Sequence, residues 1–280
     1  MDIARLKTAQ GPAYGIVDRD AGTVTLLVDR AHLPSLPLAP ELGADLAPDL
    51  APDLGAETVS LAEAELLAPV DPGKIVVIGR NYGGNPDAPG TLMIHLKPPT
   101  AVVGPGEAIV LPGQSQDVRY EGELAVVIGR TCRSVEPGRA AAHILGYTCA
   151  NDLTAWDIGT DGGQWTKAKG MDTFCPLGPW ISTGVDPTAA RITTRINGEV
   201  RQDGSTARLT RSTAVLVSEV SRLMTLLPGD VLLTGTPEGG AALASGDGVE
   251  IRIDGIGALA NPVVREDGAT VNCRDVSADS

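Results

Sequence analysis

The chain has 280 residues, with 22 Lys and Arg against 35 Asp and Glu and a formal net charge of −13. That balance excludes nucleic acid and anionic membrane surfaces as partners, because both are gripped through basic patches. Hydrophobic residues make up 42%, enough for a folded core, but with 3% aromatic residues and a single Phe that core must be built from Val, Leu, Ile and Ala.

In chain order, residues 1–30 alternate weakly between apolar and polar, and DRDAGTVTLLV reads as a turn followed by a strand. Residues 31–60 are Pro/Ala/Asp-rich. They carry an LAPD duplication at 46–53, far shorter than the ~20–50-residue period of a repeat fold, so the stretch reads as a connector. From DPGKIVVIGRNY onward the pattern is dense and regular. A small N-terminal domain with its connector is expected over 1–70 and a larger, catalytic-sized domain over 71–280. Strands are predicted at 74–79, 101–104, 122–128, 179–183, 191–196, 230–234 and 248–253. Asn197-Gly198 supplies the positive φ angles of a tight hairpin turn. One helix is predicted where Leu216, Val220, Leu223, Met224 and Leu227 share a face, ended by Pro228-Gly229. With 34 Gly and 21 Pro punctuating many short strands, the fold class is mainly β (α+β), a sandwich or barrel rather than a parallel α/β sheet. Cys132, Cys149, Cys175 and Cys273 are scattered without a C-x-x-C, which suits free thiols in a reducing compartment. No signal-peptide pattern follows Met1-Asp2 and no apolar run approaches the ~20 residues of a membrane span, so a cytoplasmic protein is expected.

Three segments carry chemistry. In DVRYEGELAVVIGR, residues 117–130, Glu121 and Glu123 stand one residue apart at the mouth of an apolar run. Alternation points both carboxylates to one side, about 6.5–7 Å apart along the strand. Two such groups repel, and burial raises the pKa of at least one. A hard cation resolves the conflict, and all-oxygen ligation selects Mg²⁺, Mn²⁺ or Ca²⁺ over zinc. The alternative is a solvated strand end. In GYTCANDLTAWD, residues 146–157, Asp152 is either a helix N-cap or a third carboxylate ligand. In QWTKAKGMDTFCPLGPW, residues 164–180, Lys169 either limits excess negative charge and holds a substrate oxygen, or is simply solvated. TGTPEGG at 234–240 matches no P-loop spacing.

Together and in order, PGKIVVIGRNY, KPPTAVVGPGEAIVLP, YEGELAVVIGR, GYTCANDLTAWD, QWTKAKGMDTFCPLGPWI, RINGEVRQDGSTARL, LLPGDVLLTGTPEGG and GDGVEIRIDGIGALANPV resemble the fumarylacetoacetate hydrolase family over about residues 70–265. The resemblance implies a mixed β-sandwich roll with a small N-terminal domain, in a homodimer. It implies Mg²⁺, or Mn²⁺ or Ca²⁺ in the same site, held by Glu121, Glu123 and Asp152. It implies a catalytic Lys169 and a substrate site that draws on Lys169, Thr173, Thr236 and Asn81. The implied substrate is a small oxo-carboxylate, a 2-oxo acid or 1,3-dicarbonyl compound, which reacts through an enolate. C–C hydrolysis of ketonic substrates is the family default.

The chain departs from that pattern at the lid. NYGGNPDAPG places Asn85 and Ala88 where a water-activating His and Glu are usual, and Trp156 and Gly159 stand where Arg and Gln are common. Decarboxylation or keto–enol isomerisation needs no attacking hydroxide and is the alternative; a non-catalytic metal- and ligand-binding relative is a further one. Of the three histidines, His32 lies in the N-terminal region, His143 reads as structural, and His95, in LMIHLKPP, follows the altered lid and is either a base that reaches the site or a packed, hydrogen-bonded histidine.

Overall fold

The computed structural model describes residues 1–29, 54–84, 90–159 and 164–266. Its frame is an 11-stranded mixed sheet. Across the sheet run Leu54–Ser60, Thr23–Leu27, Gly11–Asp18, Asp2–Thr8, Cys175–Ser182, Ile144–Asn151, Gly122–Ile128, Val231–Leu233, Ile75–Gly79 and Met93–Lys97, with Val102–Val103 added in parallel beside Cys175–Ser182. A 5-stranded sheet, in the order Glu199–Ser205, Arg191–Ile196, Gly248–Ile253, Gly257–Arg265 and Ile109–Leu111, packs against one face of it. The mainly β, two-layered architecture expected from the many short strands is the one observed.

The strand Gly122–Ile128 shows how one apolar run builds two cores. Its seven residues are all buried. Leu124, Val126 and Ile128 join Ile192, Ile251 and Val263 of the smaller sheet, while Ala125 and Val127 join Ile75, Val77, Val231 and Leu233 on the opposite face. A strand covered on both sides reads as continuous apolar sequence rather than as alternation. At its mouth a Cβ on Gly122 would stand 2.3 Å from Thr194 Oγ1. Only glycine lets the second sheet approach here, and that approach leaves the flanking Glu121 and Glu123 on the other side. Gly122→Ala is expected to cost about 1–3 kcal/mol by overpacking, read as a lower urea midpoint with an unchanged slope; an unchanged midpoint would refute the close-approach account.

Each of the seven predicted strands meets an observed one. The strand placed at 179–183 extends back to Cys175, because Pro176 and Pro179 disguise its first half as a turn. Asn197 and Gly198 have φ of 53° and 83° and close the hairpin between Arg191–Ile196 and Glu199–Ser205. The helix is shorter than its apolar stripe. It spans Thr213–Leu223 under a Ser212 cap, and Leu223 and Leu227 are exposed. The chain leaves the helix at Met224 because Leu226 pairs with Cys132 in a β-bridge and Asp230 accepts the Leu227 N–H.

The first strands continue the long sheet, with Ile3 opposite Ile181. Residues 30–53, including the LAPD repeat and His32, lie outside the described residues, as does Cys273. The end of the Pro/Ala/Asp-rich stretch is strand rather than connector: Leu54–Ser60 pairs with Thr23–Leu27. Cys132, Cys149 and Cys175 are buried free thiols. Among the described residues no helix is long and apolar enough to cross a membrane.

Candidate active site

Glu121, Glu123 and Asp152 each offer a carboxylate oxygen within 4.8 Å of the others. Backbone pairing produces this. Gly122–Ile128 and Ile144–Asn151 are antiparallel neighbours, and beyond their last pair the Asp152 N–H donates to the Glu121 carbonyl at 2.9 Å. Asp152 caps no helix; the next helix begins at Trp156. Glu123 is buried and accepts the Gly235 N–H at 2.7 Å.

Two buried lysines face this cluster. Lys169, at the end of the short helix Trp165–Lys169, donates to Asp152, to Glu121 at 3.2 Å and to Thr154 at 2.7 Å. Lys97 donates to the carbonyls of Leu153, Lys169 and Phe174 at 2.9, 2.7 and 2.7 Å, and its Nζ lies 2.9 Å from Asp152 Oδ1. Those carbonyls take all three ammonium protons. The contact with Asp152 Oδ1 is therefore charge against charge, and that oxygen is left without a hydrogen-bond donor.

The titration behaviour follows from this packing. Burial, then the Asp152 and Glu121 carboxylates, hold Glu123 well above the ordinary range. Burial also lifts Glu121, against the pull of Lys169. Asp152 goes the other way: burial opposes ionisation, but Lys169 and Lys97 outweigh it and hold the carboxyl low. Lys169 is raised, since Asp152 and Glu121 outweigh its own desolvation.

The carboxylates form the floor of a cavity of about 380 Å³. Its walls come from separate segments: Arg80, Tyr82, Met93 and His95 from one side, Arg119, Trp156 and Trp165 from another, and the loop 235–240 over the top. Arg119, Glu121 and Glu123 alternate along one extended segment and all reach the cavity. The Arg119 guanidinium lies 5.1 Å from the Trp156 ring centre, and Asp117 grips it at 2.8 and 2.7 Å. Trp156 meets Trp165 edge-on at 5.7 Å, and Trp165 meets His95 at 5.7 Å.

Of the residues singled out from the sequence, Glu121, Glu123, Asp152, Lys169 and Thr236 line this cavity. Thr236 donates to the Gly122 carbonyl at 2.9 Å and accepts from Gln202 at 3.0 Å. Asn81 and Thr173 lie outside the lining. The buried Asn81 amide is committed to backbone, donating to the Arg211 and Thr234 carbonyls at 3.1 and 2.9 Å and accepting the Arg211 N–H at 2.8 Å. Thr173 accepts the Val110 N–H at 2.9 Å and pins a turn at φ 66°. In this structure both side chains hold the chain in place. His143 is structural, set 3.1 Å from the Thr131 carbonyl. Asn85 and Ala88 lie outside the described residues. Lys97 was missed by sequence reasoning. Its signal was a lysine closing a short strand just before Pro98-Pro99, two residues beyond His95 and so on the same face.

A family profile described as fumarylacetoacetate (FAA) hydrolase C-terminal matches residues 74–264. The chain belongs to the fumarylacetoacetate hydrolase family. A Mycobacterium smegmatis structure titled 5-carboxymethyl-2-hydroxymuconate delta-isomerase is 42% identical, covers 95% of this chain and 100% of its own, and superposes with a TM-score of 0.84. The human mitochondrial oxaloacetate tautomerase FAHD2A is 41% identical over 278 residues, 91% of this chain and 88% of its own length. A maleylpyruvate hydrolase from Sphingobium sp. SYK-6, solved with manganese(II) and pyruvate, is 30% identical with a TM-score of 0.75 and covers 95% of this chain and 100% of its own. This family membership accounts for the mixed two-sheet fold, the three-carboxylate cluster and the small-molecule cavity.

Proposed function

We propose that this protein is a divalent-cation-dependent keto–enol isomerase of an anionic 2-oxo acid, with Glu121, Glu123 and Asp152 holding Mg²⁺ or Mn²⁺. The observation that carries the reading is the buried Asp152 Oδ1, which has no proton donor although Lys97 Nζ stands 2.9 Å away. The donor set is all carboxylate oxygen, the chemistry that hard cations select. Three carboxylates face two lysines, and the Glu123 carboxyl is held well above its ordinary range by burial and by the repulsion of Asp152 and Glu121, repulsion that a cation would offset. When bound, the cation supplies Lewis-acid stabilisation of the negative charge that develops on a substrate oxygen.

The chain's own residues do the rest. Lys169 keeps a positive charge at the inner end of the cavity and can trade its bond to Thr154 for one to a substrate oxygen. Arg80 in the lining, together with Arg119 (itself paired with Asp117), offers guanidinium groups to an anionic substrate and leaves the carboxylate floor to the cation. The tryptophan pair and Met93 exclude water from the space between. Isomerisation is favoured over C–C hydrolysis because Asn85 and Ala88 carry no side chain able to activate water, and because two of the three relatives above are named as an isomerase and a tautomerase. The homodimer and the cytoplasmic location expected from the sequence belong to the same reading; the buried free thiols support the second.

The test is to mix the protein with Mg²⁺ and oxaloacetate and follow enol absorbance in the ultraviolet, then to repeat with an acylpyruvate. Rapid, EDTA-sensitive tautomer exchange without loss of the acylpyruvate is expected. Steady cleavage of the acylpyruvate at enzymatic rates would replace this reading by hydrolysis.

A further inference from the structure

We propose that His95 is the catalytic acid–base residue, the group that carries the substrate proton between carbon and oxygen in a chain that has Asn85 and Ala88 where the lid's usual His and Glu stand. This deepens the isomerase reading above and rests on it for the identity of the reaction.

Strand register places the residue. Ala125 pairs with Leu233, Leu233 with Val77, and Val77 with His95, one row across four strands of the long sheet. That row lies on the face that carries Glu123, two residues from Ala125. Two residues beyond His95, Lys97 reaches Asp152 from the same face. His95 is half-buried in the cavity wall, with Nε2 above Gly79 in a space it shares with the Met93 side chain. Its ring is set against Trp165 at 5.7 Å and 44°, and Trp165 is backed in turn by Trp156. The imidazole is thus oriented by packing alone: among the described residues neither ring nitrogen has a hydrogen-bond partner, so both are available to a ligand.

The other ionisable groups of the lining have other employment. Glu121, Glu123 and Asp152 form the cation floor. Lys169 shares its protons among Asp152, Glu121 and Thr154. Arg80 and Arg119 remain cations. Burial, then the Glu123 carboxylate, keep the Tyr82 phenol protonated. Glu238 remains, an exposed carboxylate on the loop at the mouth, and is the rival among the described residues of the lining. Burial and the nearby Lys169 hold His95 below the usual histidine value, against a smaller opposing pull from Asp152, so the imidazole is a free base at neutral pH. The charged groups facing it are Lys169 and Asp152, with Arg80, Arg119, Glu121 and Glu123 elsewhere in the same cavity.

The step balances without a co-reactant. A ring nitrogen takes the C3 proton of the 2-oxo acid, and the C3–H electron pair becomes the C2=C3 bond. The carbonyl π pair moves to oxygen, giving an enolate. The imidazolium then returns the same proton to that oxygen, giving the enol and neutral His95.

The experiment compares wild type, His95→Phe and Glu238→Gln with Mg²⁺ and oxaloacetate across pH. Wild type should lose kcat only at a pH below the ordinary histidine value of about 6.5, where the depressed imidazole protonates. His95→Phe should lower kcat about 10²–10⁴-fold, the usual worth of general acid–base catalysis, with little change in KM or in Mg²⁺ affinity by calorimetry, and should lack the acid limb. Retention of kcat within threefold, or an acid limb abolished by Glu238→Gln instead, would overturn the proposal. A second measurement does not depend on turnover. With ring-¹³C histidine, the His95 resonance (assigned by its loss in His95→Phe) should shift when Mg²⁺ and oxalate are added together. No shift overturns the role of His95. If wild type fails to tautomerise oxaloacetate, the isomerase reading falls, and the oxalate titration alone upholds or overturns His95 as the residue that meets the ligand.

Discussion

Replacing Glu123 by Gln should do two opposite things: weaken divalent-cation binding by at least about 100-fold, and raise the thermal stability of the metal-free protein. The first follows from ligation. Residues that merely support a metal ligand already contribute 10–100-fold in affinity, so removing a ligand should exceed the upper figure. The second follows from the cost of an uncompensated buried charge. Burial, then Asp152 and Glu121, raise the Glu123 carboxyl well above its ordinary range. A group with a raised folded-state pKa contributes stability below its unfolded value, about 4.3 for Glu, and that contribution is lost as pH rises through its folded-state value. The metal-free protein should therefore weaken from mildly acid pH upward, and Glu123→Gln should flatten that decline, for a gain of a few °C in Tm near neutrality. Added Mg²⁺ should lift the wild-type Tm and leave the variant unmoved. Melting curves with EDTA and with Mg²⁺, together with calorimetric titration, read both effects. Equal Mg²⁺ affinity in the two proteins would show that the three carboxylates are not a cation site.

Much of this site is legible locally. The period of two puts Glu121 and Glu123 on one side of a strand, and the glycine between them marks where the second sheet touches the backbone. The apolar run after Glu123 reads as a strand buried on both faces, and it is one. The stripe from Leu216 to Leu227 misled at its end, because the β-bridge of Leu226 to Cys132 joins residues 94 positions apart and leaves no local trace. The same limit hides the cavity wall. His95, Arg119, Trp156 and Trp165 meet only through strand order and the Val118–Arg119 pairing with Thr154–Ala155. Asn81 and Thr173 entered through resemblance, which transfers residue identity but not orientation; both turn their side chains to backbone. Trp156 stood out only as a departure from the family pattern, yet it links Arg119 to Trp165.

Lys97 would have been assigned to solvent by composition alone, and its removal is expected to be the most destabilising single change around the carboxylate cluster. Its side chain is 0% exposed. Lys97→Met keeps the length and the apolar stem but leaves the carbonyls of Leu153, Lys169 and Phe174 without their shared donor, each costing about 1–3 kcal/mol if nothing replaces it. Among the described residues it also leaves Asp152 with Lys169 as its remaining cationic partner. Breaking a buried charge contact of this kind costs about 3–5 kcal/mol, which for a chain of this size is about 10 °C in Tm. Lys169 provides the contrast. Its protons go to side chains rather than backbone, so Lys169→Met should abolish turnover at a smaller loss of stability. If urea midpoints ranked the two variants the other way, Lys97 would not be the clasp between the Asp152 segment and the 169–174 turn, and the geometry of the carboxylate floor would need another source of rigidity.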